Sequence, residues 1–337
     1  MRALLALLLL AAPLWGGPAE LRIEFIDVEG GQATLIVTPA GESMLVDAGF
    51  PGHGGRDADR IAAALRRAGV ERLDYMLVTH YHADHVGGVP AVAERVPIAT
   101  FVDYGDYAGG GKRGNELAAA YYAVRSKGKH LVVGPGDRIP LRGVEIDVVA
   151  AAGKFLEKPL PEGGGPHPAC AAAAVRNELD ENGRSVAFLL RYGQFRFADL
   201  GDLPSAEELR LVCPENKLGE VDVYLTTHHG VDRSGPPALV QALNPRVAVM
   251  NNGARKGGDP GAFRALATAP RLQALWQVHY SLKAGEANAP DRRLANIVEG
   301  MCGHSLVLRA QPDGSFTIVN LRTGYREHYP AQPRDRL

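Results

Sequence analysis

Four potential metal ligands stand within six residues of the sequence: His80, His82, Asp84 and His85. They directly follow an apolar segment, 75–78, whose composition predicts a buried strand. Because side chains at i and i+2 of an extended backbone point the same way, His80 and His82 can hold one ion. Asp84 and His85 come where the chain turns and can hold a second. Imidazole and carboxylate ligands suit zinc, iron or manganese, so the segment predicts a metal site rather than a solvated histidine-rich loop.

A later segment of the chain repeats the sequence pattern that leads into this cluster. When segment 221–230 is set beside segment 73–82, Asp222 falls on Asp74, Thr227 on Thr79 and His228 on His80. Each half reads as a hairpin, an acidic strand end, a helix, a strand and Thr-His. This order predicts two similar halves, with two sheets face to face and helices outside. We therefore expect an α/β fold, an αββα four-layer sandwich whose strand ends converge on one edge.

The second half offers its own ligands to that edge. Asp202 follows a predicted strand, and a carboxylate there could bridge two cations about 3.5–4 Å apart. Asp199 is the rival for that role, and a helix cap for the segment from Ser205 is the non-metal alternative. The repeat favours His228 over His229 as a ligand. The other histidine could then orient substrate or protonate a leaving group.

Other polar residues also follow predicted strands. Asp47 is expected to support the ligands by accepting a histidine N–H, with a plain turn residue as the alternative. Asn251, Asn252 and His279 either border the pocket or are buried and satisfied within the fold. In the segment 255–258, Arg-Lys-Gly-Gly, a solvated basic turn is favoured over a site for an anionic group.

The first 19 residues predict a secretory signal. Arg2 precedes an apolar run, 3–12, and the small residues Gly17 and Ala19 suit a cleavage site. The run is short for a membrane span, so an uncleaved anchor is the less favoured alternative. The prediction is a leader at 1–19 and one hydrolase domain at 20–337. The mature protein would be secreted or periplasmic, with no stable membrane insertion.

Charge and cysteine content add two limits. The net charge of the 337 residues is −1, which gives no global field for nucleic acid, so nucleic acid is possible but not favoured as a partner. The cysteines are Cys170, Cys213 and Cys302. An exported protein can pair two of them, and we expect Cys170 to pair with Cys213.

The motif 80–85, with Asp202 and His228 behind it, resembles the metallo-β-lactamase superfamily. Within it, the segments 25–28, 201–202 and 228–230 resemble the branch that contains the nuclease-like domain of competence DNA-uptake proteins, and also the phosphorylcholine esterases. The resemblance implies one site from His80, His82 and a further histidine, and a second from Asp84, His85 and His228, bridged by Asp202. The only plausible further histidine is His167, in a Pro-flanked loop, and a plain loop histidine is the equal alternative.

This resemblance implies a hydrolase that uses two Zn²⁺ ions, with Mn²⁺ or Fe²⁺ as alternatives. A hydroxide shared by the ions would attack a phosphoester, a phosphodiester or another ester-type substrate, with Asp84, Asp202 and His229 taking part in catalysis. The substrate would be a small molecule or derived from the cell envelope. A lactonase or β-lactamase-like amide hydrolase is the second hypothesis. A non-catalytic metal-binding envelope protein is the third.

Overall fold

The computed structural model describes residues 20–172, 180–300 and 303–332. The first six strands are β1 (Leu21–Phe25), β2 (Thr34–Val37), β3 (Ser43–Val46), β4 (Leu73–Leu77), β5 (Ile98–Asp103) and β6 (Lys129–Val132). The next eight are β7 (Glu145–Ala151), β8 (Lys154–Phe155), β9 (Ala187–Tyr192), β10 (Phe195–Asp199), β11 (Val223–Leu225), β12 (Val247–Met250), β13 (Ala274–His279) and β14 (Leu294–Asn296). The last three are β15 (Leu306–Ala310), β16 (Phe316–Asn320) and β17 (Arg326–Tyr329).

These strands form two sheets within the described residues. The first has nine strands in the order β17-β16-β15-β1-β2-β3-β4-β5-β6, and the second has eight in the order β14-β13-β12-β11-β10-β9-β7-β8. In the first sheet β1 to β3 pair antiparallel, and β3 to β6 pair parallel. In the second, β7, β9 and β10 pair antiparallel, and β10 to β13 pair parallel. The two sheets therefore repeat one strand pattern, which confirms the predicted similar halves.

Six α-helices cover the outer faces of the sheets in the described part of the chain. They are α1 (Arg56–Ala68), α2 (Val89–Ala93), α3 (Lys112–Arg125), α4 (Ser205–Val212), α5 (Pro237–Leu243) and α6 (Pro260–Leu266). Buried residues of α1 to α3 pack in the core that contains the first sheet, and those of α4 to α6 pack in a second core on one face of the second sheet. This arrangement is the predicted four-layer sandwich.

Alternation along the second-sheet strands explains how one sheet serves both cores. In β11, Val223 and Leu225 belong to the core between the sheets, whereas Tyr224 belongs to the core beneath the helices. Successive side chains of a strand point to opposite faces, so a strand covered on both sides is apolar throughout. The parallel strands β3, β4 and β10 to β13 then end at buried edges, where the polar segments begin.

Three local details complete the description of the fold. Asp57 does not cap α1, because the helix begins at Arg56 after Gly55, and Asp57 instead accepts a hydrogen bond from the backbone N–H of Phe50. Gly69 ends the helix in a left-handed conformation. A disulfide joins Cys170 to Cys213, which confirms the predicted pair.

The leader predicted at 1–19 lies outside the described residues, and so does Cys302. Among the residues that the structure does describe, none of the helices has the length and apolar character needed to cross a membrane.

Phe197 gives a test of the contact between the sheets. Its ring lies 6.0 Å from that of Phe25 in the opposite sheet, and both side chains are buried. We expect Phe197→Ala to lower the free energy of unfolding by about 3–5 kcal/mol, because it leaves a cavity between the layers. Urea unfolding would measure this loss. Val132→Ala, at an exposed position, is the control and should change stability by less than about 0.5 kcal/mol. Equal effects of the two substitutions would show that the sheets do not pack through Phe197.

Candidate metal centre

The loop after β4 folds the histidine motif back on itself. His80 and His85 are fully buried, and His82 is half-buried. His80 Nε2 lies 2.9 Å from His82 Nδ1, so these two rings face one another as the extended-strand argument expects. The backbone N–H of His85 donates to the carbonyl of His82, which closes the turn and displaces His85 from that pair.

Asp47, directly after β3, orients this loop. Its carboxylate accepts hydrogen bonds from the backbone N–H and the hydroxyl of Thr79. It also accepts one from His85 Nδ1 at 2.7 Å. Since Nδ1–H is held by a carboxylate, the Nε2 atom of His85 is directed away from Asp47 and is available as a ligand. Asp47 therefore occupies the supporting position that the sequence predicts.

Asp202 brings the second sheet to these histidines. It lies three residues beyond the end of β10, and its backbone N–H donates to Ser185 Oγ. Its Oδ2 atom lies 3.1 Å from His85 Nε2, 3.3 Å from His228 Nε2, 3.4 Å from His229 Nε2 and 4.0 Å from His80 Nε2. One carboxylate oxygen thus faces imidazoles from both halves of the fold. Asp199, the rival, points elsewhere and accepts hydrogen bonds from Gln32 Nε2 and the backbone N–H of Gly201.

The structure changes the assignment of the His-His pair. His229 Nε2 lies 3.2 Å from Asp84 Oδ2, and His229 joins the central cluster of Asp84, His85, Asp202 and His229. The ligand atoms of this cluster all lie within 4.8 Å of one another. The repeat favours His228 in that position. The reason for the difference is local, because His228 and His229 both have φ of 57° and the chain turns inward instead of continuing the strand.

His228 also reaches the centre, from another side. Its Nε2 faces Asp202, and its Nδ1 lies 3.1 Å from Ser234 Oγ. Burial lowers the pKa of His228 to about 4, so this ring is neutral near neutral pH and its Nε2 can act as a ligand. His228 therefore lies beside Asp202, although the resemblance implies a place for it with Asp84 and His85 rather than with His80 and His82.

His167 itself is not brought to the cluster. Its Nε2 atom donates to the backbone carbonyl of Ala238 in α5, at 2.8 Å. The loop that carries His167 is tied to the helix layer, since its backbone N–H donates to the Pro214 carbonyl beside the disulfide. The prediction of His167 as the third histidine is therefore corrected in favour of a plain loop histidine.

The charges of the two carboxylates and of His85 in the cluster depend on one another. Burial opposes the charge of Asp84 and Asp202, yet neighbouring His85 holds the pKa of both carboxyl groups well below the ordinary value. Burial likewise opposes a charged His85, but the carboxylates of Asp202, Asp84 and Asp47 raise its pKa well above the ordinary value. Two buried carboxylates thus require positive charge beside them, which a proton or a metal cation can provide.

The donor set fits a metal. The central cluster combines imidazole nitrogens with two ionised carboxylates, which suits zinc, manganese or iron. Asp202 Oδ1 is buried and has no hydrogen-bond partner among the described residues, so this carboxylate has an oxygen free for a second ligand bond. His80 and His82 stand beside the cluster with a further pair of facing nitrogens.

Two cationic side chains at the cluster complete its surroundings. Lys256 Nζ forms an ion pair with Asp84 Oδ2, and Arg233 Nη2 lies 3.2 Å from His228 Nε2. The sequence offered a signal for Lys256, because Gly257-Gly258 follows it and permits close packing. Gly258 N–H donates to the carbonyl of His229, which draws that loop onto the cluster and makes it more than a solvated turn. No feature of the sequence indicates that Arg233 lies at the cluster.

The revised ligand set makes a direct prediction. We expect His229→Ala to lower the number of tightly bound ions per chain, because it removes a nitrogen that faces Asp84 and Asp202. His167→Ala is the matched control and should leave metal content unchanged. Metal analysis of both purified variants by plasma mass spectrometry measures this. Loss of metal from His167→Ala with full retention in His229→Ala would restore the assignment made from the sequence.

Comparison with known proteins agrees with this geometry. Residues 26–174 match the model of the metallo-beta-lactamase superfamily. A metal-dependent hydrolase of Anaeromyxobacter sp. (strain K) is 25% identical over 226 residues, which cover 65% of this chain and 71% of that protein. Competence protein ComA of Neisseria gonorrhoeae is also 25% identical over 226 residues, covering 67% of this chain but only 26% of ComA.

Solved structures give more distant likenesses. The metallo-beta-lactamase fold protein YhfI of Bacillus subtilis has a TM-score of 0.44 at 11% identity, covering 76% of this chain and 96% of YhfI. The family match and the metal-dependent hydrolase relative support a hydrolase, with a metal site at the histidine motif. Its matched residues, 26–174, and its two similar halves therefore make the chain similar to proteins of the metallo-β-lactamase superfamily.

Proposed function

We propose that the protein is an exported, dinuclear metal-dependent hydrolase that acts on a phosphoester or phosphodiester. The observation that carries this proposal is the position of Asp202 Oδ2, within 4.0 Å of the Nε2 atoms of four histidines. A carboxylate with imidazoles on both sides suits the bridge of a two-metal site. The ligand allocation follows: His80, His82 and His228 on one side, and Asp84, His85 and His229 on the other.

Zn²⁺ is the proposed metal, because borderline ligands such as imidazole combined with carboxylate suit it, although Mn²⁺ and Fe²⁺ suit the same set. When bound, such cations supply an activated water and positive charge against the charge that develops in hydrolysis. The protein itself contributes by fixing the orientation of the ligand side chains. Asp47 fixes the ring of His85, and Ser234 fixes the ring of His228. His229 is used as a ligand in this scheme and is not a free proton donor.

The choice of an anionic phosphate substrate rests on Lys256 and Arg233. Both cationic groups stand at the ligand cluster, and the side chain of Lys256 is 38% exposed, so it can turn towards a bound molecule. Arginine and lysine N–H groups suit phosphate oxygens. The net charge of −1 gives no global field that favours nucleic acid, so a small or envelope-derived phosphoester is preferred over a polynucleotide.

Export is supported by two independent features. The sequence at 1–19 has the character of a secretory signal. The disulfide between Cys170 and Cys213 is typical of an oxidising compartment such as the periplasm or the extracellular space.

The substrate class can be tested with Asp202→Asn. We expect the wild-type protein loaded with Zn²⁺ or Mn²⁺ to hydrolyse bis-p-nitrophenyl phosphate, and the variant to lose at least about 10²-fold in kcat, because the bridging charge is removed. Asp106→Asn, at an exposed ion pair with Arg125, is the control and should keep full activity. Cleavage of nitrocefin alone would contradict the phosphoester preference. Two bound ions without hydrolysis of any ester, lactone or phosphodiester would contradict catalysis.

The role of Lys256 has a separate test. We expect Lys256→Ala to raise KM for bis-p-nitrophenyl phosphate about tenfold, since a hydrogen bond to a charged group contributes about 1.5 kcal/mol. Lys283→Ala is a matched control: Lys283 is 43% exposed and also pairs with an aspartate, Asp259. Metal content is measured in both. An unchanged KM in Lys256→Ala at full metal loading would exclude Lys256 from substrate binding.

A further inference from the structure

A second group of potential ligands lies at the edge of the fold outside the central cluster. It consists of Asp27 and Glu29, which follow β1, and His279, which ends β13; we call it the Asp27 cluster. His279 Nε2 lies 3.4 Å from Glu29 Oε2 and 3.8 Å from Asp27 Oδ2. These separations are close to the roughly 3.3 Å expected between two ligands of one tetrahedral zinc ion with bonds of about 2.0 Å.

His279 is the observation that distinguishes this group from an ordinary acidic cluster. Its side chain is fully buried, and neither ring nitrogen makes a hydrogen bond among the described residues. Buried imidazole nitrogens are normally satisfied, because leaving one without a partner costs free energy. The Nε2 atom lies 3.4 Å from Glu29 Oε2 and 3.8 Å from Asp27 Oδ2, separations that suit ligands sharing one ion.

Arg60 sets the charge balance of the cluster. Its Nη1 donates to Asp27 Oδ2 at 2.9 Å, and its Nη2 lies 3.2 Å from Glu29 Oε1. One guanidinium offsets one of the two carboxylates, and Glu29 keeps its other oxygen, Oε2, directed at His279. Glu29 thus has one oxygen that accepts from Arg60 and another that faces His279.

We propose that Asp27, Glu29 and His279 form a further divalent-cation site, separate from the central cluster, that takes a first-row ion such as Mn²⁺ or Zn²⁺. One histidine with two carboxylates suits these ions better than Ca²⁺, which takes oxygen ligands. The side chain of Glu29 is 11% exposed, whereas those of Asp27 and His279 are fully buried. The ion therefore enters from the side of Glu29.

Glu29→Gln tests this site with little change of shape. The variant keeps an oxygen for Arg60 but loses the charge that faces His279. Glu42→Gln is the matched control, because Glu42 is also a partly buried glutamate paired with an arginine, Arg142. The full-length protein is stripped of metal and dialysed against Mn²⁺ or Zn²⁺. Plasma mass spectrometry then counts the ions per chain. We expect Glu29→Gln to hold one ion fewer than the wild type and Glu42→Gln.

The same comparison in an Asp84→Asn/Asp202→Asn background separates this site from the central cluster. There we expect Mn²⁺ to raise the melting temperature of the double variant, and Glu29→Gln to remove that rise. Circular dichroism confirms that each variant is folded, and His279→Gln provides a second route to the same loss. Equal ion counts in wild type and Glu29→Gln would overturn the proposal and leave a plain ion-pair network of Arg60 with a protonated His279. That result would not bear on hydrolysis at the central cluster.

Discussion

The carboxylate of Asp202 has to be neutralised inside the protein, and much of the surrounding structure follows from that requirement. The residue is 2% exposed, and an isolated buried carboxylate costs several kcal/mol. Its charge is offset by imidazoles from the loops after β4 and β11, which belong to different sheets. The central cluster therefore exists only while the two sheets are packed together. Contacts such as that between Phe25 and Phe197 support the site although they lie away from it.

Much of the architecture could be predicted because short sequence patterns within single elements indicate it. The hairpin of β9 and β10 has apolar strands around Tyr192-Gly193, and the Thr-His echo at 79–80 and 227–228 revealed the repeat. The region 89–132 was not resolved into elements from the sequence. There β6 is largely exposed and has no apolar alternation, and α3 has apolar residues on several faces. Neither the two-residue period of a strand nor the 3.6-residue period of a helix is therefore visible in the sequence.

The side chains of the site lie as the sequence predicts where the backbone is extended, and lie elsewhere where it turns. His80 and His82 follow the two-residue period of a strand, and they face one another. His228 and His229 both adopt a left-handed conformation. Such a conformation is uncommon outside glycine and asparagine, and no periodic sequence pattern predicts it at a histidine. His167 was chosen for its residue type alone, and its position depends on the disulfide-tied helix layer. Side-chain direction at a turn is set by tertiary contacts.

The segment from Asp27 to Gln32 connects the two groups of potential ligands. At one end are Asp27 and Glu29. At the other, Gln32 donates its backbone N–H to the carbonyl of Asp84 and its side-chain amide to Asp199. Gly31 packs so closely on Asp84 that a Cβ there would collide with the Asp84 backbone. Because this segment is short and held at both ends, a cation bound by Glu29 would also restrict the backbone next to Asp84. The two groups of potential ligands are thus connected through backbone contacts and share no ligand.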